Sequence, residues 1–315
     1  MAPRSASPRC AALGCVALGW LTFATPAPAA QTPAAQPTAS EPAREERSPK
    51  AENPCNTRDP GFGAYERWNH DIAFGQALIP EQALDAQGAF DLIIHFHGHE
   101  AARKAFVPVG RGIVFVGIDE GTGSVAYARR FHDPRAFGRL VASIRDQVAA
   151  RTRRPEARLR HLALSSWSAG YGAVREILKE PAGLKIDGLI LLDSLYAGRT
   201  EAGELRQQAV GPFLGFAERA SQGRGFMFLT HSSIPTPDYA STAEVASWLV
   251  DQLGGTLRKG RRHDPLGLEL ERYFDQKNLH LRGYAGTDEK AHCAHLGMLG
   301  EVVRGHLWRR WRRGP

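Results

Sequence analysis

The chain has 315 residues, 43% of them hydrophobic and 23% charged, a balance that describes a globular protein and excludes a disordered or collagen-like one. Forty basic residues against 33 acidic ones give a net charge of +7, a modest excess that by itself calls for no nucleic-acid partner. No apolar run reaches the roughly 20 residues that cross a bilayer.

At the amino end, Arg4 and Arg9 precede an apolar stretch from Ala11 to Ala24, followed by Ala27-Pro28-Ala29. Charge, short apolar run and small residues in that order predict a cleaved signal peptide over residues 1–29 and export, with a soluble mature chain of about +5. Residues 30–53 are rich in Ala, Pro, Glu and Ser with no apolar period, which predicts a disordered linker. The folded domain is expected over 54–315. Cys10 and Cys15 leave with the signal, so Cys55 and Cys293 remain; a pair of cysteines in an exported chain predicts a disulfide.

Between Tyr65 and Ala89 a more polar alternation (Trp68, Ile72, Phe74, Leu78) predicts antiparallel edge strands. From Phe90 onward, apolar runs of strand length alternate with helical patterns. Phe90 to Phe96 is the first buried strand, running into His97-Gly98-His99-Glu100. Gly112 to Ile118 is the second, ending in Asp119. Helical spacing covers Asp133 to Ala150, with Asp133-Pro134 as cap and first turn.

The next strand, His161 to Ser165, runs into Ser166-Trp167-Ser168-Ala169-Gly170 and then a helix to about Lys179. This has the form of a nucleophile elbow, Gly-x-Ser-x-Gly with serine in place of the first glycine. Small residues on either side let a sharp strand-to-helix turn close, and free N–H groups of the new helix point at a developing oxyanion. Ile186 to Leu192 is a strand ending in Asp193, and Phe226 to Leu229 one ending in Thr230-His231. Glu244 to Leu253 is helical, Leu279 to Tyr284 is the last strand, and His295 to about Arg310 the last helix. Such alternation predicts an α/β fold with a mostly parallel central sheet and helices on both faces.

The carboxyl ends of the strands, where sites lie in open α/β sheets, collect His97-Gly98-His99, Asp119, Ser168, Asp193, Thr230-His231 and, beyond the last strand, His292 and His295. With these residues the chain resembles the α/β-hydrolase superfamily from about Phe90 to Arg310. The likeness rests on His-Gly after an early strand, the elbow, a histidine just before the final helix, and the order Ser, Asp, His. It implies a serine hydrolase needing no cofactor. Ser168 is the nucleophile, activated by a neighbouring base. His292 is the preferred base, being further from the helix body, with His295 as the alternative; both lie on the turn expected to enter the last helix. Asp193 is the preferred acid because it directly ends an apolar strand. Asp238, in Pro235-Thr236-Pro237-Asp238, is the alternative and occupies the more usual position in the superfamily. The N–H groups of Ala169 and His99 are assigned to the oxyanion hole.

Two rival readings stand beside this one. His95, His97 and His99 alternate and on a strand would face one way, so with His292 and His295 they could hold zinc in a metal-dependent hydrolase. The fold could also carry a dead site and bind without catalysis. The segments Gly198–Gly223 and Ser233–Asp275 are long enough for a partial lid, with Phe213, Phe216, Tyr239 and Trp248 as either core or lining. No phosphate loop or dinucleotide fingerprint occurs. The tail Trp308-Arg309-Arg310-Trp311-Arg312-Arg313 is either the last turn of a docked helix or a weak contact for an anionic surface. An ester is the expected substrate, small or polymeric, with an amide as the second choice.

Overall fold

The structure is a computed structural model that describes residues 58–263 and 268–313. The expected signal peptide (1–29), the linker (30–53) and Cys55 lie outside the described residues.

Among the described residues nine strands form one sheet. In chain order they are β1 (Gln76–Leu78), β2 (Ala89–Phe96), β3 (Val114–Ile118), β4 (Arg158–Trp167), β5 (Gly188–Leu192), β6 (Phe226–His231), β7 (Arg258–His263), β8 (Glu269–Gln276) and β9 (Leu279–Tyr284). Their spatial order is β1-β3-β2-β4-β5-β6-β9-β8-β7. The run from β3 to β9 is parallel, while β1 and the β7–β8 hairpin add antiparallel edges. The connection from β2 goes one way along the sheet and that from β4 the other. Their carboxyl ends therefore flank a topological switch point, where a crevice opens in sheets of this kind.

Helices cover both faces, as the alternation predicted. Strand residues divide by parity: Leu92, Ile94, Leu162, Leu164, Leu189 and Leu191 belong to one core, and Ile93, Ala163, Ile190 and Leu192 to the other. That period of two is what a strand buried on both faces requires. The first core is closed by α2 (Ser124–Phe131), α3 (Pro134–Thr152), α4 (Tyr171–Lys179), α5 (Gln207–Ser221) and α6 (Thr242–Gln252), through Tyr127, Leu140, Val174, Phe213 and Leu249. The second is closed by α1 (His99–Phe106), α7 (Glu289–Val302) and α8 (Trp308–Arg313), through Phe106, Leu299 and Trp311. Among the described residues no helix is long and apolar enough to cross a membrane.

Several helix starts are written locally. Asp133 accepts from the Arg135 N–H at 2.9 Å ahead of Pro134, and Ser241 with Glu244 forms a reciprocal capping box.

The structure departs from the sequence reading at four places. The last helix begins at Glu289, capped by Asp288, whose Oδ1 accepts from the Ala291 N–H at 2.8 Å. His292 is therefore in its first turn rather than ahead of it. The presumed lid segments are largely framework: Phe213 and Phe216 are core residues of α5, and β7–β8 extends the sheet. Of Trp68, Ile72, Phe74 and Leu78, only Leu78 lies in a strand, the short β1. Helices α1 and α2, eight residues each, carry too few apolar positions to show a period by sequence. The tail takes the docked-helix alternative: Trp311 is buried and its ring stacks on His161 at 5.3 Å, and the Arg111 and Arg312 guanidiniums lie over the Trp308 ring. The tryptophans dock α8 onto the domain.

Candidate functional site

At the carboxyl end of β4 the chain turns through a single 3-10 turn, Ser168–Gly170, into α4. Ser168 has φ +47°, a left-handed conformation that costs a non-glycine residue about 1–3 kcal/mol and persists only where the surroundings impose it. Glycine two residues on is obligatory, since a Cβ on Gly170 would stand 2.1 Å from the Phe96 carbonyl oxygen. Gly172 meets the same limit, 2.2 Å from the Ser124 carbonyl oxygen. The elbow is thus wedged between the end of β2 and the start of α2.

Asp193 follows β5 directly, also with positive φ (+44°), and is completely buried. Its N–H donates to Thr230. Its carboxylate is filled on both oxygens: Oδ1 accepts from the Ser232 N–H at 2.9 Å and the Thr242 hydroxyl at 2.6 Å, and Oδ2 accepts from His292 Nδ1–H at 2.7 Å. Burial alone would raise the Asp193 carboxyl. The facing His295 and His292, with the hydrogen bonds from His292 and Thr242, outweigh that and hold it well below the usual carboxylate range. Bonded through Nδ1, His292 keeps Nε2 as its remaining ring nitrogen. Its ring lies 4.6 Å from that of Trp167, whose indole N–H donates to the His292 carbonyl at 3.0 Å.

Ser168, Ala169 and His292 line one cavity of about 820 Å³. Its remaining wall holds three tyrosines, Tyr171, Tyr196 and Tyr239, in edge-to-tilted contact at 5.8 and 5.5 Å. Thr122, Ser124, Ile234, Thr236 and Asp288 also line it. No lysine or arginine is among the lining residues.

The alternatives from the sequence sit elsewhere. His295, one turn along α7, is fully buried, shares a 2.7 Å hydrogen bond with Thr230 Oγ1, and is pushed down to about 4 by burial. It does not line the cavity. Asp238 is exposed on the loop after β6, and the carboxylate on His292 is that of Asp193. His99 is likewise outside the lining; its ring is held by Asp119 and Gln76. In its loop the His97 N–H donates to the Ile118 carbonyl and the Gly98 N–H to Asp119. The His99 N–H opens the first turn of α1, where no side-chain cap accepts from the helix start.

The expected face of His95, His97 and His99 does not exist. The strand ends at Phe96, and positive φ at His97 (+73°) and Gly98 (+71°) swings the chain away. His95 is buried inside the sheet, bonded to Ser165 Oγ and the His97 carbonyl, and pushed down to about 3 by burial. His97 bonds the Tyr127 hydroxyl and stacks on Trp167. Each ring goes to a different partner, and among the described residues no group of three or more such side chains converges as metal ligands would.

Sequence reasoning missed Thr242, Ser194 and Trp167. Ser194 Oγ donates to the Ser168 carbonyl at 2.9 Å. Thr242 carried no signal, because only packing brings the start of α6 to the end of β5.

No protein-family model matches the chain, and no curated protein matches it. Among solved structures, the crystal structure of LpqC, a poly(3-hydroxybutyrate) depolymerase from Bordetella parapertussis, is similar at 14% sequence identity and a TM-score of 0.40, covering 76% of this chain and 85% of that one.

Proposed function

We propose that the chain is a serine hydrolase that cleaves ester bonds through an acyl-enzyme, with Ser168 as nucleophile, His292 as base and Asp193 as acid. The observation that carries this reading is the 2.7 Å bond between buried Asp193 and His292, with His292 and the left-handed Ser168 lining one cavity. His292 Nε2 takes the proton of Ser168 Oγ as the oxygen attacks the ester carbonyl. It returns that proton to the departing alcohol as the carbon–oxygen bond breaks, and water repeats the sequence to release the acid. Asp193 fixes the ring tautomer and balances the imidazolium. The N–H of Ala169, with that of His99 at the switch point, receives the oxyanion.

Further parts of the reading concern residues 1–57: export after cleavage near Ala29, and a Cys55–Cys293 disulfide. Cys293 directly follows His292 on α7 and is itself buried, so such a bridge would tie the domain's amino end to the helix that carries the base. Ester is preferred to amide for the weaker bond.

The test is intact-mass analysis after incubation with a fluorophosphonate, beside Ser168→Ala. One adduct on the wild type and none on the variant supports the reading. No adduct on the wild type, with ester hydrolysis abolished by a chelator, replaces it with a metal-dependent one.

A further inference from the structure

We infer that the site is cross-braced, each strand end carrying one reacting group together with a brace for another: Ser194, next to the acid, holds the nucleophile's backbone, and Trp167, next to the nucleophile, holds the base. This rests on the serine-hydrolase reading above and deepens it.

Ser168 needs a cause for its left-handed φ. Gly170 permits the turn but does not fix the Ser168 peptide. The side-chain bond that does so is Ser194 Oγ–H to the Ser168 carbonyl. Ser194 is completely buried, and its oxygen also meets Ser166 Oγ at 2.8 Å. Its single proton is committed to the Ser168 carbonyl, so Ser166 must be the donor in the second bond. The protons then run one way, from Ser166 to Ser194 to the Ser168 carbonyl. This accounts for a sequence oddity, serine where the elbow motif has glycine: Ser166 is small enough for the turn and supplies the donor that orients Ser194. Both hydroxyls are buried, so the pair acts on position rather than on substrate.

The second brace runs in the opposite direction. Trp167 leaves β4 one residue before Ser168, bonds the His292 carbonyl through its indole N–H, and lies against the His292 ring. Behind it, the His97 ring stacks on Trp167 at 5.1 Å and 10°, and is itself held by the Tyr127 hydroxyl at 2.8 Å. The end of β4 thereby fixes the base, and the end of β5 fixes the nucleophile. A relative shift of the two strand ends would disturb both reacting groups together.

The experiment compares Ser194→Ala, Ser194→Thr, Ser194→Cys and Trp167→Phe with the wild type. It reads kcat and KM on 4-nitrophenyl acetate, the second-order rate of fluorophosphonate labelling, and the crystal structure of Ser194→Ala. Ser194→Ala is expected to lower kcat and the labelling rate together by about tenfold with KM little changed, the effect of one buried hydrogen bond lost. Ser194→Thr, which keeps the hydroxyl, should recover most of that, and Ser168 should leave its left-handed φ in the Ser194→Ala crystal. Trp167→Phe keeps the ring and loses the N–H, and should also lower kcat at near-constant KM. If Ser194→Ala does not fold, Ser194→Cys, of similar size with a weaker donor, should show the same loss in smaller degree. Labelling of Ser194→Ala or Ser194→Cys at the wild-type rate, or no recovery in Ser194→Thr, overturns the brace. If the wild type itself is not labelled, the hydrolase reading fails, and the Ser194→Ala crystal still decides: an unchanged Ser168 φ overturns the inference.

Discussion

Two aspartate–histidine pairs stand at the carboxyl edge of the sheet, and their difference teaches what makes such a pair chemically useful. Asp119 holds His99 where β2 and β3 end, and Asp193 holds His292 where β5 ends. In the first pair the second ring nitrogen is taken by Gln76, and Asp119 also anchors the Gly98 N–H. Burial would raise Asp119, but the hydrogen bond and charge of His99 outweigh it and bring it down to about 2. This pair is a loop clamp. In the second pair the acid is sealed from water, its other oxygen is filled by Ser232 and Thr242, and the ring lines a cavity together with a serine. A histidine bonded to a carboxylate is not distinctive. A histidine with one nitrogen on a saturated acid and its ring at a cavity is.

The contrast breaks most easily at Asp193. Asp193→Asn and His292→Ala are each expected to lower kcat on 4-nitrophenyl acetate by about 10⁴, since each leaves the nucleophile without a correctly held base. Losses of only about 10- to 100-fold would place the two pairs on the same footing. Asp119→Asn should cost less, about 10- to 100-fold in kcat, because it loosens the loop carrying the His99 N–H without removing that donor. Steady-state kinetics of the two aspartate variants side by side measures the difference.

Acid should weaken the fold through the histidines that are buried without a carboxylate bond. His95 and His295 are pushed down to about 3 and about 4 by burial, so below their unfolded value near 6.5 the unfolded chain binds more protons than the folded one. Their contribution to stability is complete above about pH 6.5 and declines as pH falls toward 4, by on the order of 1.4 kcal/mol per unit for each ring. The midpoint of thermal unfolding should therefore drop between pH 7 and pH 5. A flat profile would show that these rings are not held neutral. The smallest effects belong to what the pairs exclude. Asp238→Asn should change kcat by less than about twofold, as a surface substitution away from such networks does. EDTA should leave hydrolysis unchanged, and a loss of activity restored by zinc would reopen the histidine cluster.

Much of the fold was legible because its signals are local. The strands around Ile93, Leu164, Ile190 and Phe228 are near-continuous apolar runs, and such runs read the same in any context. Asp133-Pro134 marked a helix start for the same reason. The elbow was legible because its turn demands small residues at fixed spacing, a constraint met within five positions. Where reading failed, the cause was context. His97 left the strand at a left-handed residue that alternation alone could not reveal. The last helix began six residues early because Asp288, a cap, outranked the apolar spacing that starts at His295.

By itself, the sequence determined the parallel α/β architecture, the turn at Ser168 and the candidates at each strand end, since propensity, periodicity and chain order suffice for these. Only the tertiary structure decided which candidates meet. The ring nitrogen of His292 and the oxygen of Asp193 are 99 residues apart in the chain and 2.7 Å apart in space. Ser232 just past β6, Thr242 in α6 and Trp167 at the end of β4 complete the arrangement. Hydrogen bonding has a reach of about 3 Å, and no spacing in a linear chain encodes which distant strand ends packing will bring within it.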